Sequence, residues 1–253
     1  MALSSAIERA FTILECFGKN QKPLRLADVV DDLGLPKQTV HRLIKQLEGM
    51  DLLERDIQPE KFRLGTRMRT LGIASIVSQN QTAFTRAILE DLKNRFEETV
   101  NVGVLDNGEV LYIDRVECHW PLRVQLSPGS KVKVHCTAIG KLLLAHLPEP
   151  QFAVTLRNLT LEKYTQNTIV DVVALEAECK KIRAQGYSEN IGEDLQGLVA
   201  LAVPVYGEGG KVIAGIAVHA PEARTSLKTM HFHLGALTDA AARLGAALTA
   251  GNS

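Results

Sequence analysis

The chain has 253 residues, 45% hydrophobic and 23% charged, with 29 basic against 29 acidic side chains. That length supplies a core for one large domain or two ordinary ones, and ordinary glycine and proline use excludes collagen-like and low-complexity chains. The zero net charge removes global charge as an argument for any partner.

No window approaches the run of about 18 apolar residues that spans a bilayer, so no membrane partner is expected. Glu8, Arg9 and Glu15 interrupt the apolar positions of the first helix, which reads against a secretory signal. Cys16, Cys118, Cys136 and Cys179 have no C-x-x-C spacing and read as reduced thiols of a cytoplasmic protein.

In chain order, Ile7, Ala10, Phe11, Ile13, Leu14 and Phe17 recur at helical spacing up to Gly18. Leu26, Val29, Val30 and Leu33 predict a short helix closed by Gly34. Pro36 suits the first turn of a third helix, whose stripe is Val40, Leu43, Ile44 and Leu47 and whose end is Gly49. Leu52–Arg55 and Lys61–Leu64 then read as two strands about the polar turn 56–60, giving the layout of a winged helix-turn-helix.

A helix over Thr66–Gln79 follows, with Met68, Leu71, Ile73, Ala74 and Val77 spread over more than one face, which points to packing against another subunit. A second helix, Ala83–Phe96, leads to a hairpin of Val100–Leu105 and Val110–Val116 about Asn107-Gly108. Leu122–Leu126 reads as a short strand, Thr137–His146 and Val172–Ala184 as helices. Leu198–Tyr206 and Val212–His219 form another hairpin, and a last helix covers Ser226–Leu248. Strands in hairpins separated by helices give an α+β class with a mixed or antiparallel sheet.

The third helix carries cations without acids from Lys37 to Leu47. Lys37, Gln38, Thr39, His41, Arg42 and Lys45 leave its apolar stripe free. Gln38 and Thr39 suit base edges, while Lys37, Arg42 and Lys45 suit phosphates. Arg55, Lys61 and Arg63 on the ribbon stand where a wing meets the duplex backbone or minor groove. The competing view is a solvated charged face on a small helical domain.

Three segments carry a resemblance: 5–10 (Ser-Ala-Ile-Glu-Arg-Ala), 34–43 (Gly-Leu-Pro-Lys-Gln-Thr-Val-His-Arg-Leu) and 62–65 (Phe-Arg-Leu-Gly). Further on, Leu111–Val116, Gly129, 135–141 (His-Cys-Thr-Ala-Ile-Gly-Lys), Gly186-Tyr187, Glu193, Gly197 and 200–205 follow in order. Over residues 4 to 248 the chain resembles the IclR family of bacterial transcriptional regulators. The resemblance implies a winged helix-turn-helix DNA-binding domain (1–65), a linker helix (66–81) and a GAF-like effector-binding domain (82–253). It also implies a homodimer or dimer of dimers on double-stranded operator DNA, repressing or activating, with a small carboxylate or aromatic acid as effector. No cofactor, metal or catalytic residue is implied.

A small anion needs donors in a water-poor cavity, and the N-terminus of the helix near Thr137 offers backbone N–H groups of Thr137, Ala138 and Ile139. The resemblance puts that turn in the effector pocket and adds Val124, Val132, Asn190 in a loop, Leu198 and Ala200 on one strand, and Ala217 and His219 on the next. Where some members have small hydroxyl residues, this chain has Ala217 and His219, and Lys133 replaces a usual proline. His219 is then a donor or ion-pair partner for an acidic effector, or else a partly solvated histidine at a strand end.

Gly140-Lys141 lacks the glycine and hydroxyl residue of a phosphate loop. His231-Phe232-His233 has poor chelate spacing on a regular helix. Glu193-Asp194 are neighbours that rarely share a face, and Glu193 suits loop fixing through backbone amides. The rival to a regulator is an enzyme or ligand-storage module using the C-terminal cavity, with Cys136 at a helix start as nucleophile.

Overall fold

The computed structural model describes residues 5–20, 22–79 and 83–249. The chain divides into two compact units, residues 1–76 and 77–253. Each has its own apolar core.

In the first unit, α1 (Ala6–Lys19) opens on a capping box. The Glu8 amide donates to the Ser5 hydroxyl at 3.0 Å and the Ser5 amide to the Glu8 carboxylate at 2.9 Å, satisfying donors that a helix start leaves over. The helix runs on past Gly18, where the sequence predicts a stop. Asn20 closes it, its backbone and side-chain amides both donating to the Cys16 carbonyl. The short strand β1 (Leu24–Arg25) leads into α2 (Leu26–Leu33), which ends at Gly34 with a left-handed φ of 61°.

Next comes α3 (Lys37–Gly49), with Pro36 as its N-cap rather than in its first turn. It ends on Gly49 as expected, with Met50 as its C-cap, and the chain reverses at Asp51, φ 58°. The strands β2 (Leu53–Arg55) and β3 (Lys61–Leu64) form the ribbon, and β3 lies between β1 and β2 in an antiparallel sheet. Ile13, Phe17, Val29, Val40, Ile44, Leu53 and Phe62 bind helices to ribbon in one core. α4 (Thr66–Gln79) follows. Of its predicted apolar positions, Met68 packs on this core while Leu71 and Ala74 are exposed. The side chains of Ile73 and Val77, and residues 80–82 at the expected end of the linker, lie outside the described residues.

The second unit begins with α5 (Ala83–Phe96) and the hairpin β4 (Thr99–Asp106) and β5 (Glu109–Val116). Asn107 and Gly108 have φ of 52° and 80°, the two positive values that a tight right-twisted hairpin turn requires. Leu122–Leu126 is not a strand. Its polar groups are served by side chains rather than by a ladder: the Val124 carbonyl accepts from the Arg115 guanidinium, and Arg123 bonds Glu117 and the Trp120 carbonyl.

The chain continues through β6 (Lys131–Lys133), α6 (Ala138–Ala145), α7 (Glu149–Asn158), α8 (Val172–Gln185), β7 (Ser188–Ile191), β8 (Leu198–Tyr206) and β9 (Val212–Pro221). The final helix is broken at His233 into α9 (Leu227–Phe232) and α10 (Leu234–Thr249). The six strands pair in the order β6-β5-β4-β9-β8-β7, every pair antiparallel.

Helix α6 lies on one face of this sheet, with α8 and α7 outside it, while α5 and α10 pack on the sheet elsewhere and on each other. Close approach is built in by glycine. A Cβ at Gly215 would meet Ile139 at 3.1 Å, and one at Gly245 would sit 2.2 Å from the Tyr206 carbonyl oxygen. Both faces of β8 and β9 are therefore buried, which is why they read as unbroken apolar runs.

Candidate DNA-reading face and effector pocket

On α3, Val40, Leu43, Ile44 and Leu47 are buried, and Lys37, Gln38, His41, Arg42 and Lys45 are exposed, with Thr39 half-buried. Lys37, Arg42 and Lys45 make no ion pair among the described residues, so their charges are available. The ribbon arginines differ. Arg55 donates to Glu48 at 2.8 Å and to the Pro59 carbonyl, and lies 4.9 Å over the Phe62 ring. Arg63 donates to Glu54 at 2.8 Å. Lys61 is half-buried beside them. These internal partners were not legible in the sequence, because they depend on the ribbon register and on where α3 ends.

In the second unit, one narrow cavity of about 20 Å³ lies between the start of α6 and the sheet. It is lined by Thr137, Ala138, Ile139, Asn190, Leu198, Ala200, Ala217 and His219 together with Asn101, Tyr112 and Asp194. The register explains the assembly. Ala200 pairs with Asn190 on one side and His219 on the other, and Asn101 pairs with Ala217. Asn190 is thus on β7, not in a loop. Val132 on β6 packs into the core and Val124 offers its carbonyl to Arg115; neither lines the cavity.

Above the sheet, Thr137 is the N-cap of α6, its hydroxyl accepting from the Gly140 amide at 3.2 Å and donating to the Lys133 carbonyl at 2.7 Å. That arrangement leaves the amides of Ala138 and Ile139 without helical partners at the positive end of the dipole. The wall is fixed by Asn190, whose side-chain amide donates to the Cys136 carbonyl at 2.8 Å and to Asp194 Oδ1 at 2.7 Å. Its Oδ1 accepts from the Glu193 amide at 2.9 Å. Burial pushes the Asp194 carboxyl up.

Behind this wall Lys141 and Glu193 form an ion pair with side chains 2% and 9% exposed. Glu193 therefore fixes its loop through a lysine as well as through its amide. Glu193 Oε2 has no partner among the described residues, and burial raises this carboxyl against the pull of Lys141. His219 stands two residues from the end of β9, and there it is buried rather than partly solvated. Its Nδ1 lies 2.9 Å from Asn101 Nδ2, and its Nε2 has no partner among the described residues. Burial, and then Arg115, push its pKa down to about 3, so a charged His219 is not available for an ion pair at neutral pH.

Cys136 is 1% exposed, and burial, with Asp194 and Glu193, pushes its thiol up to about 12. That is the opposite of an activated thiolate. His231 bonds Glu189 at 2.5 Å, and His233 stacks edge-on with Phe96. Among the described residues no group of three or more His, Cys, Asp or Glu is placed to hold a metal, and no helix is long and apolar enough to cross a membrane. All four cysteines are free and buried.

Residues 6–56 match the IclR helix-turn-helix domain, and residues 73–246 match the bacterial transcriptional regulator IclR C-terminal family. The chain belongs to the IclR family of transcriptional regulators. It is 41% identical, over 88% of its length and 89% of the relative, to "Probable transcriptional regulator SauR" of Cupriavidus necator. It is 31% identical, over 93% of its length and 82% of the relative, to the HTH-type transcriptional regulator BhcR of Paracoccus denitrificans. An IclR homologue of Microbacterium hydrocarbonoxydans, solved with 4-hydroxybenzoate, aligns over 95% of this chain and 98% of its own with a TM-score of 0.60 and 25% identity. This IclR-family regulator thus joins a helix-turn-helix DNA-binding domain to an IclR effector domain.

Proposed function

We propose that this regulator binds operator DNA through α3 and that a small acidic metabolite seated between α6 and the sheet alters that binding. In this reading residues 1–65 bind DNA, 66–81 link and 82–253 sense, in a cytoplasmic homodimer or dimer of dimers. Gln38 and Thr39 read base edges. Lys37, Arg42 and Lys45 hold phosphates, with His41 beside them; Lys61 assists, as do Arg55 and Arg63 once their internal partners are exchanged.

The observation that carries the effector half is one cavity lined by the first turn of α6, whose leading amides have no helical partner, and by His219, whose Nε2 has no partner among the described residues. Donors without acceptors suit a carboxylate. The 4-hydroxybenzoate of the Microbacterium homologue supports an aromatic acid as one form of it. A cavity of about 20 Å³ holds little more than a water, so the acid binds a widened state and shifts the population toward it. The enzyme reading loses its nucleophile with Cys136.

A gel-shift with DNA upstream of its own gene tests the proposal. A discrete complex that a carboxylate strengthens or releases is expected. No complex at low salt, with or without candidate acids, would overturn it.

A further inference from the structure

Three adjacent strands bring Arg115 on β5, Asn101 on β4 and His219 on β9 into one buried line. Asn101 and Arg115 are register partners, and His219 stands two residues beyond Ala217, the partner of Asn101 on the other side. The Arg115 side chain is 1% exposed, and its guanidinium donates to Asn101 Oδ1 at 2.6 Å, to the Val124 carbonyl and to Glu117 at 3.3 Å.

An arginine has donors only, so the Asn101 atom facing it must be the oxygen. That settles the amide, an assignment that is otherwise ambiguous. Asn101 Nδ2, a donor, then faces His219 Nδ1 at 2.9 Å, and Nδ1 must accept. The single proton of the ring therefore sits on Nε2, a buried atom without a partner among the described residues, on a side chain that lines the cavity. An imidazolium would set N–H against N–H at Asn101. Burial and the nearby guanidinium oppose it further.

We propose that Arg115 and Asn101 lock His219 as a neutral ring presenting Nε2–H to the cavity, so that the pocket selects ligands bringing a hydrogen-bond acceptor there and rejects ligands bringing an ammonium. Arg115 and Asn101 are positioning residues that touch no ligand themselves. The neutral N–H and the α6 amides then grip one acidic group from two sides. Asp194 on the wall is a hydrogen-bond acceptor, which suits a ligand that also carries a hydroxyl. This inference rests on reading the cavity as the effector site.

Full-length protein with ¹⁵N-labelled histidine tests it by long-range proton–nitrogen correlation, with His219→Gln identifying the resonances. His219 is expected as the Nε2–H tautomer, with unprotonated Nδ1, unchanged between about pH 8 and pH 5. Asn101→Asp, which faces Nδ1 with an acceptor, should move a proton onto Nδ1. Benzoate should shift the Nε2–H signal saturably and benzylamine should not. A wild-type Nδ1–H tautomer, or titration of His219 within that pH range, would overturn the lock. An Nε2 signal that answers both probes equally, or neither, would overturn the ligand class. A metabolite that releases DNA without moving His219 would sink this inference and leave the effector reading standing; a locked ring in a protein indifferent to DNA would do the reverse.

Discussion

Replacing Lys141 by methionine keeps the length of the side chain but leaves Glu193 buried and uncompensated. The pair is 2% and 9% exposed, and Glu193 Oε2 is already unbonded. Removing one member of such a pair costs about 3–5 kcal/mol, because a charge is stranded in a poorly solvating interior. The second unit spans residues 77–253, a size at which each kcal/mol moves the midpoint by roughly 2–4 °C, so its transition should fall by roughly 6–20 °C. The double variant Lys141→Met/Glu193→Gln removes both charges and should recover most of that loss. Without its lysine, a carboxyl that burial already raises will bind a proton in the fold at a higher pH than in the unfolded chain. The Lys141→Met deficit should therefore shrink as pH falls. Thermal and urea denaturation of the full chain at several pH values, followed by circular dichroism, measure these. A single-variant loss below about 1 kcal/mol, or a double variant as unstable as the sum of its singles, would refute the reasoning.

Other perturbations test other parts of the molecule. Gly245→Ala places a methyl 2.2 Å from the Tyr206 carbonyl oxygen and should cost about 1–3 kcal/mol by forcing α10 away from the sheet; a thermal midpoint equal to wild type would contradict that packing. His219 has a folded pKa of about 3 against 6.5, so the unfolded state binds the extra proton and stability is lost as pH falls below the unfolded value. Between pH 6.5 and 5 wild type should lose about 1–2 kcal/mol more than His219→Gln, read from paired denaturation curves. Alanine at both Gln38 and Thr39 should reduce discrimination between operator and random DNA by about 1–3 kcal/mol for each base edge no longer read. Arg42→Ala should instead weaken all sequences and lower the salt slope by about one, both seen in fluorescence anisotropy titrations.

The first unit was legible because its helices bury one face each. Val40, Leu43, Ile44 and Leu47 mark α3 by spacing alone, and the polar remainder marks the face left to solvent. Helix ends were unevenly legible: α3 does end on Gly49, whereas α1 runs on past Gly18 to Lys19 and is closed by Asn20. In the second unit the hairpins were legible through Asn107-Gly108 and through apolar runs. Yet a strand buried on both faces gives no alternation to say which residues look toward α6. Asn101 and Tyr112 were missed for that reason, whereas Asp194 lies in the loop between β7 and β8, where strand alternation gives no signal. The available signal was a lone polar residue, Asn101, inside Val100–Leu105, whose amide must find partners if the run is buried. Val124 and Val132 carry side chains suited to a cavity wall but stand where register and an arginine turn them to other uses.

The large sheet has two open margins, and both are poor templates for another chain. One is β6, three residues long, with Lys131 and Lys133 tied to Asp106 and Glu109. The other is β7, four residues long, with Glu189 clasped by His231. Short strands fringed with lysine discourage ribbon-to-ribbon stacking between molecules. Copies of this protein that meet at high concentration should thus resist fibrillar growth by extension of this sheet.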